Sequence, residues 1–213
     1  KDELMLEKFR KHVEWAMDNQ QEDGSWDNFG FIYPEYKYSA MAQGEGCSLL
    51  LRAYVQFQDK RYLNAAKKAI DFMLKPVDQG GTTKYEGEDV ILLEYTHLPV
   101  VMNGWIFAMF GLFDFVLQTN NEHYKEILRK TVRSLEARVE DFDCKYWTYY
   151  DGEKKIASPF YHHLHIAQLR VLYDLFSREV FSAYANRWEG FERNKLFVMM
   201  AFMKKAIQKI RER

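Results

Sequence analysis

Residues 39–74 read SAMAQGEGCSLLLRAYVQFQDKRYLNAAKKAIDFML, and this stretch decides the fold class. It predicts one helix that begins after Ser39, a residue type favoured at N-caps, and that runs to about Phe57. Asp59 then caps a second helix. The apolar residues of this second helix recur at helical spacing: Leu63, Ala66, Ile70 and Met73. The stretch therefore predicts two helices joined by a short turn, which is a helical hairpin.

The same helical period recurs along the rest of the chain. It predicts helices over about residues 3–19, 99–117, 121–140, from 159 onward, 178–193 and 196–210. Pro99 suits the first turn of the helix that it begins. Residues 76–88 hold glycines, threonines and charges and are predicted to be a loop, while the apolar run 90–93 predicts a β-bridge or an extended segment. The aromatic stretch 144–151 predicts a short β-hairpin.

The succession of helix pairs and short turns predicts an all-α fold. We expect a single helical domain over residues 1–213, built as an (α/α) barrel or a toroid-like ring of helical hairpins, closed or incomplete. A short β-hairpin accompanies the helices. The alternative is a plain helical bundle.

Composition excludes several classes of protein. With 30 basic and 31 acidic residues the formal charge is -1, so we expect no general electrostatic binding of nucleic acid. A hydrophobic content of 47% excludes a mainly disordered chain. Residues 98–117 are long enough for a membrane span, but Asn103 and Asp114 within them favour a buried helix of a soluble domain. We expect a soluble protein, and the sequence assigns it to no compartment.

The motifs of nucleotide enzymes and zinc proteases are missing from the sequence. It contains no GxGxxG, no Walker A pattern, no HExxH and no GxSxG. Polar and small residues are concentrated instead in three segments. The first is residues 38–46, where alternate small residues at a helix start allow either a ligand or another helix to come close.

The second segment joins Glu94 and Tyr95 to Asn103 and Gly104. Glu94 follows an apolar run, and desolvation there raises the pKa of a carboxyl group. A carboxylate with a raised pKa suits a general base near neutral pH. The alternative is an ordinary acidic residue that interacts favourably with a helix N-terminus.

The third segment contains Tyr150 and, further on, Tyr161, His162 and His165. On a helix the two histidines share a face, which invites a metal interpretation. No carboxylate or cysteine stands nearby at ligand spacing, so we expect no metal site. Tyr150 and Tyr161 are the more interesting pair, because both fall at helix edges, where a cleft would open.

Taken in order along the chain, these segments resemble one known family. They are similar to signatures in the C-terminal domain of the glucuronyl 5-epimerases, which act in heparan sulfate and heparin synthesis and have bacterial relatives. The similar segments are Asp23–Trp26, Ser39–Gly44, Glu94-Tyr95, Asn103-Gly104, Gly111–Asp114, Tyr150-Asp151, Tyr161–Leu169 and Arg187-Trp188. Thr96 stands where the family has proline.

The resemblance implies a site and an activity. The implied reaction inverts carbon 5 of a hexuronic acid, D-glucuronate to L-iduronate, inside an acidic polysaccharide, with no organic cofactor and no metal. A homodimer is also implied. The implied catalytic residues are Glu94, Tyr95, Tyr150 and Tyr161, and the implied substrate-binding residues are Gln43, Asn103, His162 and Lys154, the last near an arginine position of the family.

The chemistry suits these residue types. The proton on carbon 5 is weakly acidic, because its removal adds charge beside a carboxylate that is already anionic. Donors such as phenols must stabilise that carboxylate, the role given to Tyr95 and Tyr150. Inversion also needs an acid or base on each face of the sugar, which we assign to Glu94 and Tyr161. Two alternatives remain: an (α/α) lyase or hydrolase, and a non-catalytic glycan-binding or partner-docking domain.

Overall fold

The computed structural model of the protein describes residues 2–211. This part of the chain is mostly helical and carries one two-stranded antiparallel sheet. Its α-helices are α1 (Asp2–Asn19), α2 (Ala40–Phe57), α3 (Lys60–Leu74), α4 (Met102–Thr119), α5 (Glu122–Arg138), α6 (Pro159–Phe176), α7 (Glu179–Arg193) and α8 (Lys195–Arg211). Short 3-10 helices cover Val77–Gln79 and Val139–Phe142. The prediction of an all-α fold with a short β-hairpin is confirmed.

The chain divides into two compact units. The first runs up to Leu98 and adds Gly104–Val132, and the second joins Pro99–Asn103 to the residues from Arg133 onward. The single-domain organisation and the ring of hairpins stay predictions. None of the described helices has the length and apolar character that crossing a membrane requires.

The first unit is built on the helical hairpin that residues 39–74 predict. The α2 helix packs against α3 and also against α1. Gly44 on α2 faces α4 so closely that a Cβ at Gly44 would lie 2.8 Å from the Cα of Ala108. Farther along α4, Asp114 accepts a hydrogen bond of 2.7 Å from the Ser48 hydroxyl. The small residues early in α2 therefore serve close helix packing, which was one of the two interpretations of that segment.

The β-hairpin of the first unit lies earlier in the chain than the sequence predicts. Strand β1 (Thr83–Glu86) pairs antiparallel with β2 (Asp89–Leu92), with Thr83 opposite Leu92. The extended segment predicted near residues 90–93 is thus confirmed, but the predicted loop over residues 76–88 is wrong where β1 forms. Three of the four β1 side chains are exposed, so the strand leaves no apolar pattern to detect. It forms because the buried β2 needs a backbone partner.

Two predictions about the second unit differ from the structure. The α4 helix begins at Met102 and not at Pro99, because the Val100 carbonyl accepts a hydrogen bond of 2.9 Å from the Gly152 amide and the adjacent Val101 pairs with Asp151. Extended backbone therefore replaces the first helical turn. The aromatic stretch 144–151 forms no regular two-stranded hairpin, although the Cys144 amide donates to the Trp147 carbonyl at 2.9 Å and the Tyr149 amide to the Phe142 carbonyl at 2.8 Å.

Isolated bridges replace the predicted hairpin. Asp143 pairs with Thr148, and Tyr149 pairs with Ile156. The stretch is held to the helices by Asp143, whose Oδ2 accepts hydrogen bonds from the Arg187 Nε at 2.6 Å and the Trp188 Nε1 at 3.4 Å. The Arg187-Trp188 pair is therefore structural: it fixes the segment that leads to Tyr150.

Candidate active site

The backbone before Glu94 is fixed from two sides within the first unit. The Leu93 amide donates a hydrogen bond of 2.9 Å to the Thr82 carbonyl, next to β1. The Leu93 carbonyl accepts one of 2.8 Å from the Ala40 amide, the first residue of α2. Glu94 therefore starts from a rigid point where the hairpin meets the N-terminus of α2.

The Glu94 side chain is almost fully enclosed. It keeps 6% of its surface exposed, and its Oε2 atom has no hydrogen-bond partner among the described residues. A Cβ on Gly104 would lie 2.2 Å from that oxygen, so only glycine at this position leaves room for the carboxyl group. The Tyr95 side chain forms a hydrogen bond with Glu94. The arrangement gives a carboxyl group with one oxygen not committed to the protein.

Burial changes the acidity of this group. Desolvation is the main cause that raises the pKa of Glu94 from 4.5 to about 7. The hydrogen bond from Tyr95 lowers this pKa, and the negative charge of Glu45 raises it by a smaller amount. The expected effect of desolvation is thus confirmed. The alternative role at a helix N-terminus stays open, since Glu94 follows the residue that bonds to the first amide of α2 and its carboxyl group lies against Gly104 in the first turn of α4. Near neutral pH this carboxyl group exists in both its neutral and its ionised form.

Tyr95 is held by aromatic rings that the sequence analysis missed. Its ring stacks on Phe29, with centroids 4.6 Å apart and planes at 14°, and Tyr33 approaches it edge-on at 6.4 Å. Both partners come from the loop after Trp26. The sequence feature that could have indicated these contacts is the number of aromatic residues in that loop. Within ten residues it holds Phe29, Phe31, Tyr33, Tyr36 and Tyr38.

In the second unit the structure brings Tyr150 and Tyr161 together. Their rings meet at an angle of 62° with centroids 4.8 Å apart, and both residues are partly exposed. Tyr161 stands in the first turn of α6, where its amide donates to the Ser158 hydroxyl at 3.4 Å. The turn after Tyr150 is closed by its amide, which donates to the Lys155 carbonyl at 2.6 Å. Lys154 is exposed on that turn and makes no ion pair within residues 2–211.

The contacts of His162 give it a structural role. It is fully buried, its ring stacks on Trp147, and its Nδ1 lies 2.9 Å from the Thr148 hydroxyl. Its Nε2 lies 3.1 Å from the Trp188 carbonyl, so neither ring nitrogen is left for a ligand. Burial lowers the pKa of His162 to about 4 and that of His165 to about 3. The prediction that His162 binds substrate has no support from these contacts, and His165 meets the same Thr148 hydroxyl at 3.3 Å.

Gln43 and Asn103 differ in whether their side chains keep a polar atom that has no hydrogen-bond partner among the described residues. The Gln43 amide is fully buried and forms two hydrogen bonds with the backbone of Trp26, at 3.0 and 3.1 Å, so it anchors the end of the segment Asp23–Trp26. The Asn103 side chain is 5% exposed, and its Oδ1 has no hydrogen-bond partner among the described residues. Its backbone carbonyl accepts from the Gln168 amide at 3.0 Å. Asn103 therefore stays a candidate, while Gln43 acts through the fold.

A separate cavity in the first unit contains none of the predicted site residues. Its volume is about 540 Å³, and it lies beside α3, the hairpin and α5. Its polar groups satisfy one another, since the Tyr124 hydroxyl donates to Asp71 at 2.5 Å and Lys130 pairs with Glu88 at 2.6 Å. Within residues 2–211, no three His, Cys, Asp or Glu side chains are grouped so that they could hold a metal ion.

Comparison with known proteins gives these residues a family context. Residues 11–190 match the family described as D-glucuronyl C5-epimerase C-terminus. The chain is 29% identical over 217 aligned residues to a D-glucuronyl C5-epimerase of Caenorhabditis elegans. This alignment covers 88% of this chain and 35% of that protein. It is 30% identical over 171 residues to an uncharacterized protein of Methanocaldococcus jannaschii, covering 75% of this chain and 56% of that protein. The chain therefore spans about a third and about half of these two relatives.

Proposed function

The chain belongs to the family of D-glucuronyl C5-epimerase C-terminal domains, and on that premise we propose that it inverts carbon 5 of a hexuronic acid within an acidic polysaccharide. The observation that carries the proposal is the state of Glu94. Its carboxyl group is nearly buried, has an uncommitted oxygen and has a pKa raised to about 7. A general base is most effective when its pKa lies near the working pH, and Glu94 meets that condition.

The proposed reaction needs one proton removed and one returned. The Glu94 carboxylate takes the carbon 5 proton from one face of the sugar. The electron pair left on carbon 5 spreads into the neighbouring carboxylate of the uronic acid. The hydroxyl of Tyr161 then supplies a proton to the opposite face. The resulting phenolate is reprotonated from solvent, and Glu94 releases its proton to solvent, which restores both residues. The balance needs no redox partner and no further reactant.

The remaining residues stabilise charge in this scheme. The added charge accumulates on the oxygens of the uronic acid, where preorganised donors lower the barrier most. We assign that task to the hydroxyl group of Tyr150 and, once Glu94 has taken the proton and no longer needs its hydrogen bond, to that of Tyr95. Lys154, exposed and without an ion pair within the described residues, pairs with the anionic substrate, and the amide of Asn103 binds a sugar hydroxyl. These assignments rest on the family resemblance together with the local contacts of each residue.

The substrate we propose is a polysaccharide of the heparan sulfate type, in which D-glucuronate becomes L-iduronate. The name of the Caenorhabditis elegans relative supports glucuronate as the reacting sugar. A homodimer, as the resemblance implies, is part of the same proposal. The activity of the whole enzyme is proposed for the protein that contains these 213 residues.

Deuterium uptake from heavy water tests this function. Incubating the protein with a glucuronate polysaccharide in heavy water is expected to place deuterium on carbon 5 and to yield iduronate, both seen by NMR. A lyase would instead release an unsaturated uronate, detected by its ultraviolet absorbance. A non-catalytic domain would bind the polysaccharide and leave carbon 5 unlabelled. Either of these two results contradicts the proposal.

A further inference from the structure

Residues 27–37 form a closed surface loop in the first unit. The amides of Asn28 and Phe29 both donate to the Lys37 carbonyl at 2.9 Å, which joins the two ends of the loop. Inside it, the Tyr36 amide donates to the Tyr33 carbonyl at 2.9 Å. The loop backbone is therefore closed on itself, and it carries several aromatic side chains.

These side chains form a ladder of rings that starts beside the proposed base. Tyr33 meets Tyr95 edge-on at 6.4 Å, and it also meets His97 at 4.6 Å. His97 in turn stacks on Tyr36, with centroids 4.2 Å apart and planes at 19°. Since Tyr95 is hydrogen-bonded to Glu94, the ladder leads from the carboxyl group to the surface of the loop.

Tyr36, at the outer end of the ladder, is stacked on a neighbouring ring and still partly exposed. His97 covers one face by parallel stacking, yet 44% of the surface of Tyr36 is exposed. An aromatic ring that is stacked on one face and remains partly exposed offers a flat apolar surface to a ligand. The C–H groups on one face of a pyranose ring can pack on such a surface, because they are apolar and need no hydrogen-bond partner there.

We propose that Tyr36 is a saccharide-binding subsite, on which a sugar of the same polysaccharide stacks near the reacting uronic acid. This inference rests on the proposed function. The contact does not depend on charge: the neighbouring Glu35 is acidic, and the Lys37 ammonium lies over the Tyr38 ring, 5.0 Å from its centroid. The subsite therefore recognises the apolar face of a sugar and not its anionic groups.

Three variants test the subsite in the full chain. Tyr36→Ala is expected to raise KM for a long polysaccharide about tenfold with kcat unchanged, because stacking contributes equally to the ground state and the transition state. Tyr36→Phe keeps the ring and is expected to match the wild type. Phe31→Ala is the control on the same loop, since Phe31 is fully exposed and makes none of these ring contacts.

Two further conditions separate stacking from a loss of structure. The KM difference of Tyr36→Ala is expected to persist at high salt, since an apolar contact is not screened. It is expected to vanish with an oligosaccharide too short to reach from the reacting sugar to Tyr36. An unchanged KM for the long substrate, or an equal rise for the short one, overturns the subsite.

Failure of the subsite and failure of the proposed function give different results. If the wild type labels carbon 5 and Tyr36→Ala behaves like it, the function stands and the subsite is wrong. If the wild type leaves carbon 5 unlabelled, the function is wrong, and affinity electrophoresis in the same polysaccharide decides the subsite. Weaker retardation of Tyr36→Ala than of the wild type and Phe31→Ala supports it, and equal retardation overturns it.

Discussion

Glu94→Gln is expected to reduce deuterium uptake at carbon 5 by at least about 10³-fold. The amide has nearly the shape of the carboxyl group, so it fits beside Gly104 and can still accept the hydrogen bond from Tyr95. It cannot accept a proton at any working pH. The loss should therefore fall on kcat and not on the affinity for the polysaccharide, which affinity electrophoresis measures separately.

The stability of Glu94→Gln gives a second readout. Because the folded pKa of Glu94 is raised, its contribution to stability is fully present below the ordinary value of 4.5 and is lost as the pH rises from there to about 7. Glutamine stays neutral throughout. The variant is thus expected to unfold at the same or a higher temperature than the wild type above pH 7.

The matched control is Glu45→Gln, which makes the same chemical change on α2. It is expected to keep the exchange activity, because Glu45 acts on Glu94 only through its charge. A Glu94→Gln protein that is folded and exchanges carbon 5 at the wild-type rate would remove Glu94 as the base.

Tyr161→Phe is the second variant with a large expected effect. The phenyl ring keeps the edge contact with Tyr150 but has no hydroxyl to supply a proton. We expect inversion to fall by about 10² to 10⁴-fold. Exchange without inversion should survive better from the epimer that Glu94 deprotonates, because Glu94 can return a solvent-derived proton to the same face.

NMR with each uronate epimer as the starting material measures both rates. The expected result for Tyr161→Phe is a higher ratio of exchange to inversion with one epimer. Tyr173→Phe is the control, since it removes a hydroxyl from the same helix, α6, far from the first turn. Equal losses of exchange and inversion from both epimers would contradict the division of roles between Tyr161 and Glu94.

Local patterns in the sequence predict the helices well. Asp59 caps α3 as expected, with its Oδ1 accepting from the Arg61 amide at 2.9 Å. Ser39 precedes α2 as expected, but its side chain makes no capping hydrogen bond. The start of α4 could not be predicted, because the residues after Pro99 pair with the backbone near Gly152, and such pairing depends on contacts distant in sequence.

The candidate residues show the same limit. An apolar run before Glu94 correctly indicates desolvation, because burial of the neighbouring strand also encloses the side chain that follows it. The fit of Gly104 against its carboxyl group and the stacking of Phe29 on Tyr95 depend on tertiary packing, which no local pattern contains. For His162 the family resemblance implies substrate binding, whereas stacking on Trp147 makes it part of the core.

The pH dependence of carbon 5 exchange tests the role of Glu94 most directly. A base must be ionised, so kcat/KM for deuterium uptake is expected to rise with pH, to level off above about 7, and to fall about tenfold per unit below it. The charged and titratable groups that act on Glu94 are Tyr95 and Glu45. Tyr95→Phe should therefore move the midpoint to higher pH, and Glu45→Gln should move it to lower pH. A midpoint near 4.5, the ordinary value for a glutamate, would contradict the account.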